Sequence, residues 1–391
     1  MNRPYLHIVQ AKLTRVTSGG RYIAEIDGLR FLAIMPVILH HLSERMIKYY
    51  PQEVSGTYEG QFFPYLVSRG SIGVLLFFAI SGFILALPFA RYYAGAGKEI
   101  SLKKYYRRRL TRLEPPYILW MTLFACILLL RGVYTGETLI GHYLSSIFYV
   151  HYFVYQEFSI INPVAWSLEI EIQFYLLAPL LAKLVFKYLP ERRRAVLLAA
   201  VIIGWIVCMQ LAGWNRAPLK FTLLGQLPYF LTGYWVANWY LFHKKNPSSK
   251  QLIWDLLGVS AFISMLFSWS EEGILTVIFV AALAILMLAA FNGKLLPAVL
   301  RYPWISIIGG MCYTIYLTHL PLLELLFQFS SQLAFQGPYW LHLIMQVGVC
   351  LPVLLLLSAI FFLYTEKPFM KKDAFRRLWK NTTLVELVTR E

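Results

Sequence analysis

Charged side chains are scarce in this sequence: only 14% of its 391 residues are Asp, Glu, Lys or Arg. Apolar residues make up 58% of the chain, which is more than one soluble core can bury. This imbalance excludes an ordinary water-soluble domain and indicates an integral membrane protein. Acidic residues number 20 against 36 basic ones. Because the basic residues stand in short runs between apolar segments, we expect a lipid bilayer as the partner and no nucleic acid.

Cysteine is also rare, and its placement argues against two kinds of site. The chain has four cysteines, all inside apolar stretches and without the paired spacing of a metal site or a disulfide framework. We therefore expect no metal. Residues 1–21 contain no long apolar run followed by a small-residue cleavage site, so they predict a basic cytoplasmic lead and not a secretory signal.

Long apolar segments, by contrast, are abundant and predict an all-α, polytopic membrane bundle of about ten spanning helices. If residues 138–155 do not span, every strongly basic loop falls on the side of the N-terminus, which is then the cytoplasmic side. We therefore predict both termini in the cytoplasm and residues 132–165 as an excursion on the outer side. The predicted spans are residues 29–47, 72–90, 116–131, 167–188, 195–213, 222–242, 252–270, 274–291, 304–327 and 340–364.

These segments divide the chain into three regions. The lead is residues 1–21, the transmembrane domain is residues 22–370, and a basic cytoplasmic tail is residues 371–391. The loops are too short for a second soluble domain, so we expect a multi-pass protein of the cell membrane with no fused extracytoplasmic domain.

The first apolar helix contains titratable residues where they are costly. The stretch DGLRFLAIMPVILHH, residues 27–41, includes Arg30, His40 and His41. In a helix, Arg30 and His41 lie within about 20° of one face and about 16 Å apart along the axis, whereas His40 points about 80° away. Two interpretations remain open. Either the pair is functional, or His41 bonds a neighbouring helix while Arg30 reaches phosphates at the surface.

Small and basic residues mark the next two segments. In the stretch GVLLFFAISGF, Ser81 and Gly82 favour close helix packing, and Ser81 is a weak candidate nucleophile. In the stretch RRRLTRLEPPY, Arg109 and Arg112 are three residues apart and share a helix face. Two guanidiniums there suit a diphosphate, although basic runs usually serve only as cytoplasmic anchors.

Two glutamates stand in the stretch WSLEIEIQFYLLAPLL. Glu169 and Glu171 diverge by about 200° on a helix, so they do not act as a pair. Glu171, flanked by Gln173 and Tyr175, is the candidate to orient a histidine. His319 in YTIYLTHLPL is more simply a helix-to-helix hydrogen-bonding residue.

These five stretches, in this order and spread from about residue 22 to 370, together resemble the membrane acyltransferase-3 family. The resemblance implies an O-acyltransferase that moves an acetyl or another short acyl group from acyl-CoA, most simply acetyl-CoA, to a hydroxyl of a carbohydrate or glycolipid acceptor. The donor is expected on the cytoplasmic side.

The resemblance also implies roles for individual residues. His41 and Glu171 are expected to be catalytic, and Arg30, Arg109 and Arg112 are expected to bind acyl-CoA. Many members have a second glutamate directly after the first, whereas this chain has isoleucine, which places any role for an adjacent pair in doubt. The residues expected to support the site are Asp27, Ser81, Gly82, Phe83, Trp166, Ser167, Tyr175 and His319.

A different class of protein uses the same residue types. Buried Arg, His and Glu also line transport paths, so the alternative is a carrier or flippase for a lipid-linked sugar or a coenzyme-like anion. A structural or sensory membrane protein is a third reading, but it leaves the alignment of Arg30 and His41 unexplained.

Overall fold

The computed structural model describes residues 3–16, 22–51, 58, 60–243 and 251–370. All regular secondary structure in these ranges is helical, which confirms the predicted all-α class. The predicted tail, residues 371–391, lies outside the described residues, as does part of the predicted lead. The α-helices are α1 Arg3–Leu13, α2 Ala24–Tyr49, α3 Phe62–Ser68, α4 Ile72–Tyr93, α5 Leu102–Leu130, α6 Gly136–Ile147, α7 His151–Tyr155, α8 Ala165–Lys183, α9 Glu191–Ala212, α10 Leu223–His243, α11 Gln251–Ser268, α12 Gly273–Asn292, α13 Leu295–Leu300, α14 Pro303–Gly310, α15 Cys312–Ser330 and α16 Tyr339–Phe361.

Every predicted span falls on helical residues, but fewer than ten helices are long and apolar enough to cross a membrane. Within the described ranges, seven helices are long and apolar enough to cross a membrane, and the bent pair α14 and α15 makes an eighth. The helices α8 and α10 are not in this set; they carry polar and aromatic side chains among their apolar ones. A multi-pass membrane protein is therefore established, and the count of ten stays a prediction.

Residues 132–165 form no spanning helix. They fold into the short helices α6 and α7, which end at Phe148 and Gln156, respectively. Tyr149 and Gln156 have positive φ values of 58° and 54°, which reverse the chain after each helix. The hydroxyl of Tyr117 on α5 donates to the carbonyl of Ser146 at 3.0 Å, which holds this segment against the bundle.

Glycines allow the central helices to approach one another closely. A Cβ atom on Gly82 of α4 would lie 2.1 Å from the carbonyl oxygen of Phe230 on α10, and one on Gly233 would lie 2.1 Å from that of Ala79. On the neighbouring face, a Cβ on Gly309 would lie 1.7 Å from the carbonyl oxygen of Asp27. Small residues therefore set the distances between α4 and α10 and between α2 and α14.

The helix is interrupted between α14 and α15, and the axes of these two helices differ by 72°. The break exposes backbone N–H groups at the start of α15 that need partners. The buried carboxylate of Glu366 supplies one: it accepts from the Thr314 N–H at 3.2 Å and from the Thr314 hydroxyl at 2.6 Å. A carboxylate beyond the end of α16 thus caps the broken helix.

Candidate active site

A cavity of about 80 Å³ lies where α2, α4, α5, α8 and α15 meet. Its wall combines three guanidiniums, a carboxylate and several hydroxyls with apolar side chains of α4. It collects seven of the residues that the sequence singled out, contributed by four different helices: Arg30, Ser81, Arg109, Arg112, Ser167, Glu171 and Tyr175.

Arg30 is held in the cavity wall by Asp27, one turn earlier on α2. Its Nη1 donates to Asp27 Oδ1 at 2.8 Å, and the other oxygen of this fully buried carboxylate accepts from Arg15 Nε at 2.7 Å. Gly309 packs closely against the backbone carbonyl of Asp27. Asp27 therefore positions two guanidiniums with one charge.

Arg109 and Arg112 reach the cavity from α5, as their spacing of three residues predicts. Arg112 Nη2 lies 3.5 Å from Glu366 Oε1, while its Nε is buried and has no partner among the described residues. The Arg109 guanidinium lies over the rings of Tyr105 and Tyr175, at 5.9 and 5.6 Å from their centroids. In the described part of the chain, Arg109 forms no ion pair, so it remains available to an anion.

Glu171 faces this cavity and not a histidine. Its Oε1 accepts hydrogen bonds from the hydroxyl of Ser81 and, at 2.6 Å, from that of Tyr175. The sequence predicts Glu171 as the partner that orients a histidine, but in the structure the carboxylate in contact with His41 is Glu44. The error arose because contacts between α2 and α8 depend on helix packing, which periodicity does not encode.

His41 is bound by a carboxylate from its own helix. Its Nδ1 lies 2.7 Å from Glu44 Oε2. Because an ionised carboxylate only accepts, Nδ1 is the donor in this contact, and Nε2 is the ring nitrogen that does not contact Glu44. His40 contacts the same carboxylate at a longer 3.5 Å. Glu44 therefore fixes the orientation of the His41 imidazole.

A second histidine faces His41 from α15. The ring centroids of His41 and His319 are 5.1 Å apart, and His319 is fully buried. Its Nδ1 donates to the carbonyl of Tyr316 at 2.8 Å, while Nε2 has no partner in the part of the chain that the structure describes. Arg30 on α2 lines the cavity together with Cys312, which belongs to α15. Arg30 and His41 therefore both face α15.

Tyr316 connects the histidines to the arginine-lined cavity. Its ring lies 5.6 Å from that of His319, and its hydroxyl shares a 2.7 Å hydrogen bond with Ser167. Both Tyr316 and Ser167 line the cavity. Ring contacts therefore lead from the cavity wall at Tyr316 through His319 to His41, which lies outside the wall.

The remaining predicted residues lie outside the cavity wall. Phe83 points into the core, where its ring stacks on Phe291 at 5.3 Å, and Gly82 serves helix packing. Trp166 belongs to an aromatic cluster, with its ring 5.1 Å from that of Phe221. Glu169 turns away from Glu171, as its spacing predicts, and accepts from the Tyr152 N–H at 3.2 Å.

Two functional carboxylates were missed from the sequence. Glu44 could have been found, since it stands three residues after His41 and therefore on the same helix face. Nothing in the sequence brings Glu366 to Arg112, because the two residues meet only through the packing of distant helices.

The histidines also offer ligands to a cation. His40, His41 and Glu44 bring one ligand atom each within 4.8 Å of one another. The expected absence of a metal therefore rests on the sequence reading alone.

The polytopic helical bundle defines an all-α membrane protein, and it contains an internal cavity lined by three arginines. The chain belongs to the acyltransferase-3 family: the family model, described as an acyltransferase domain, matches residues 23–378. The O-acetyltransferase OatA of Staphylococcus aureus strains NCTC 8325 / PS 47 and MRSA252 is 26% identical to the chain over 382 residues, covering 90% of this chain. The chain spans 58% of the length of these curated relatives. No solved structure matches it.

Proposed function

We propose that this protein is a membrane O-acyltransferase that moves an acetyl or another short acyl group from acyl-CoA to a hydroxyl of a carbohydrate or glycoconjugate. The observation that carries this proposal is the cavity that gathers Arg30, Arg109 and Arg112. His41 does not line this cavity; it is linked to the lining residue Tyr316 through the ring of His319. The O-acetyltransferase names of the relatives support the reaction class.

The arginines would hold the donor by its phosphates. Guanidiniums bind phosphate through paired, charge-assisted hydrogen bonds, and those of Arg109 and Arg112 have unused donors. With the basic loops in the cytoplasm, this end of the cavity opens toward the compartment that holds acyl-CoA. The pantetheine arm would then run past Tyr316 and His319 toward His41.

Acyl transfer follows from the orientation of His41. Its Nε2 takes the proton of the acceptor hydroxyl while the hydroxyl oxygen attacks the thioester carbonyl. The carbon–oxygen bond forms, the carbon–sulfur bond breaks, and the proton passes to the departing thiolate to give free coenzyme A. Glu44 stabilises the transient imidazolium through the 2.7 Å contact to Nδ1.

The proposal is tested in inside-out membrane vesicles, which retain the natural acceptors. Acetyl-CoA labelled in its acetyl group is supplied, and released thiol and label in glycans are measured together. We expect both signals from the wild type and a loss of about 10²- to 10⁴-fold in His41→Ala, the usual contribution of a general base.

The control is His40→Ala, which removes the neighbouring imidazole whose contact to Glu44 is only 3.5 Å. We expect this variant to keep most of the activity, and both variants to give wild-type elution in size-exclusion chromatography. Near-normal transfer by His41→Ala would refute the base assignment. Uptake of label without thiol release by the wild type would favour a carrier.

A further inference from the structure

The segment before the matched family domain does not line the cavity, but its Arg15 is linked through Asp27 to the lining residue Arg30. Helix α1 and Arg15 precede residue 23, where the family match begins. The segment is anchored from the other end of the chain, since the Lys367 ammonium donates to the carbonyls of Ala11, at 3.4 Å, and Lys12. The side chain of Arg15 also packs beside Gly310 at the break between α14 and α15.

Arg15 reaches the arginine cluster through Asp27. The carboxylate lies between two guanidiniums, with Arg15 Nε at 2.7 Å and Arg30 Nη1 at 2.8 Å. The side chains of Arg15 and Arg30 are only 11% and 13% exposed. The single carboxylate of Asp27 is therefore the ion-pair partner of two nearly buried guanidiniums.

The charge balance at this end of the cavity leaves a positive excess. Among the described residues, Arg15, Arg30 and Arg112 form ion pairs with two carboxylates, those of Asp27 and Glu366, and a third carboxylate, Glu171, lines the cavity. Arg109 adds a further guanidinium that is in no ion pair with the residues the structure describes. Burying unpaired charge is costly, so such a cluster is most stable with an anion in place.

We infer that Arg15 is a fourth arginine of the donor site, and that the segment upstream of the family domain helps to bind the phosphates of acyl-CoA. This inference rests on the proposed function and assigns a donor-binding role to a residue outside the family match. Arg15 either contacts a phosphate or holds Arg30 in reach of one through Asp27.

The protonation of Arg15 is consistent with this role. Burial, together with the neighbouring guanidiniums of Arg30 and Arg112, lowers the pKa of Arg15 to about 10. Arg15 therefore stays charged at neutral pH, and an arriving phosphate relieves the repulsion among the arginines.

The test compares a donor that has phosphates with one that lacks them. The variant Arg15→Gln is assayed in inside-out membrane vesicles, which retain the natural acceptors, and thiol release is measured with acetyl-CoA and with S-acetylpantetheine. We expect KM for acetyl-CoA to rise by about 10- to 100-fold, as for loss of a hydrogen bond to a charged group, with kcat little changed. We expect kcat/KM for S-acetylpantetheine to equal that of the wild type.

Lys12→Gln is the matched control, because it removes the same charge from the exposed surface of the same segment. It should leave both donors unaffected. Arg15→Lys keeps the charge and should recover part of the acetyl-CoA affinity; it also replaces Arg15→Gln in the comparison if the glutamine variant does not fold.

The outcomes separate this inference from the proposed function. Equal loss with both donors, or unchanged KM for acetyl-CoA, would show that Arg15 is only a structural ion-pair residue. A wild type that releases no thiol from acetyl-CoA would instead overturn the proposed function itself.

Discussion

At the scale of single residues, carboxylates decide where the arginines and histidines point: Asp27 and Glu366 are buried, whereas Glu44 is exposed. Asp27 holds Arg30 and Arg15, Glu366 holds Arg112 and caps α15, and Glu44 holds His41. Each of these anions leaves donors or a lone pair free on its partner. The charged side chains are thereby fixed without being fully neutralised, which is what a site for an anionic donor requires.

The contact between Glu44 and His41 gives a prediction about rate. Replacing the carboxylate in Glu44→Gln keeps the size of the side chain but removes the charge that stabilises the imidazolium. We expect kcat to fall by about 10- to 100-fold, less than the loss on removing the base itself, with KM for acetyl-CoA nearly unchanged. Steady-state kinetics of thiol release provide the measurement.

The control for Glu44→Gln is Glu272→Gln, an exposed carboxylate that is in no ion pair with the described residues. It should behave as the wild type. A large rise in KM with normal kcat in Glu44→Gln would contradict the orienting role and assign Glu44 to substrate binding.

At the scale of helices, the break between α14 and α15 and the close contact of α4 with α10 shape the cavity. The break brings Cys312, Tyr313 and Tyr316 to the wall of the cavity. The contact at Gly82 fixes α4, so that Ser81 presents its hydroxyl to Glu171. The site therefore depends on helix separations that glycine alone permits.

Gly82→Ala tests this dependence. Its new Cβ would lie 2.1 Å from the carbonyl oxygen of Phe230, so α4 and α10 must separate. We expect a loss of about 1–3 kcal/mol in stability, the usual cost of overpacking. It should be visible as a lower midpoint of thermal unfolding in detergent.

Gly204→Ala on α9 is the paired control, since nothing lies within 4 Å of a Cβ at that position. Alanine favours a helix over glycine by about 1 kcal/mol, so this variant should be neutral or slightly stabilising. Equal destabilisation by both substitutions would show that the close contact is not the cause.

At the scale of the whole molecule, charge distribution predicts the orientation in the membrane. Basic runs such as residues 191–194 are placed in the cytoplasm and the acidic pair 271–272 outside. Arg192 and Glu271 are exposed and suit chemical labelling. We expect a membrane-impermeant maleimide to label Glu271→Cys in intact cells and to label Arg192→Cys only after permeabilisation.

A cysteine-free background provides the control for labelling, because Cys126 and Cys208 are exposed on the helix surfaces. Labelling of Arg192→Cys in intact cells would place the arginine-lined end of the cavity outside. It would then separate that end from the cytoplasmic pool of acyl-CoA.

The sequence alone determined the all-helical membrane class and the shared face of Arg30 and His41. Both follow from local properties, the length of apolar runs and the 3.6-residue period of a helix. The stretches carrying the family resemblance were equally local. Only the tertiary structure decided that Glu44 and not Glu171 meets His41, and that Arg15 and Glu366 join the arginines. Those contacts depend on rotamers and on how closely helices pack, and glycines such as Gly82 and Gly309 set that closeness through neighbours far away in the chain.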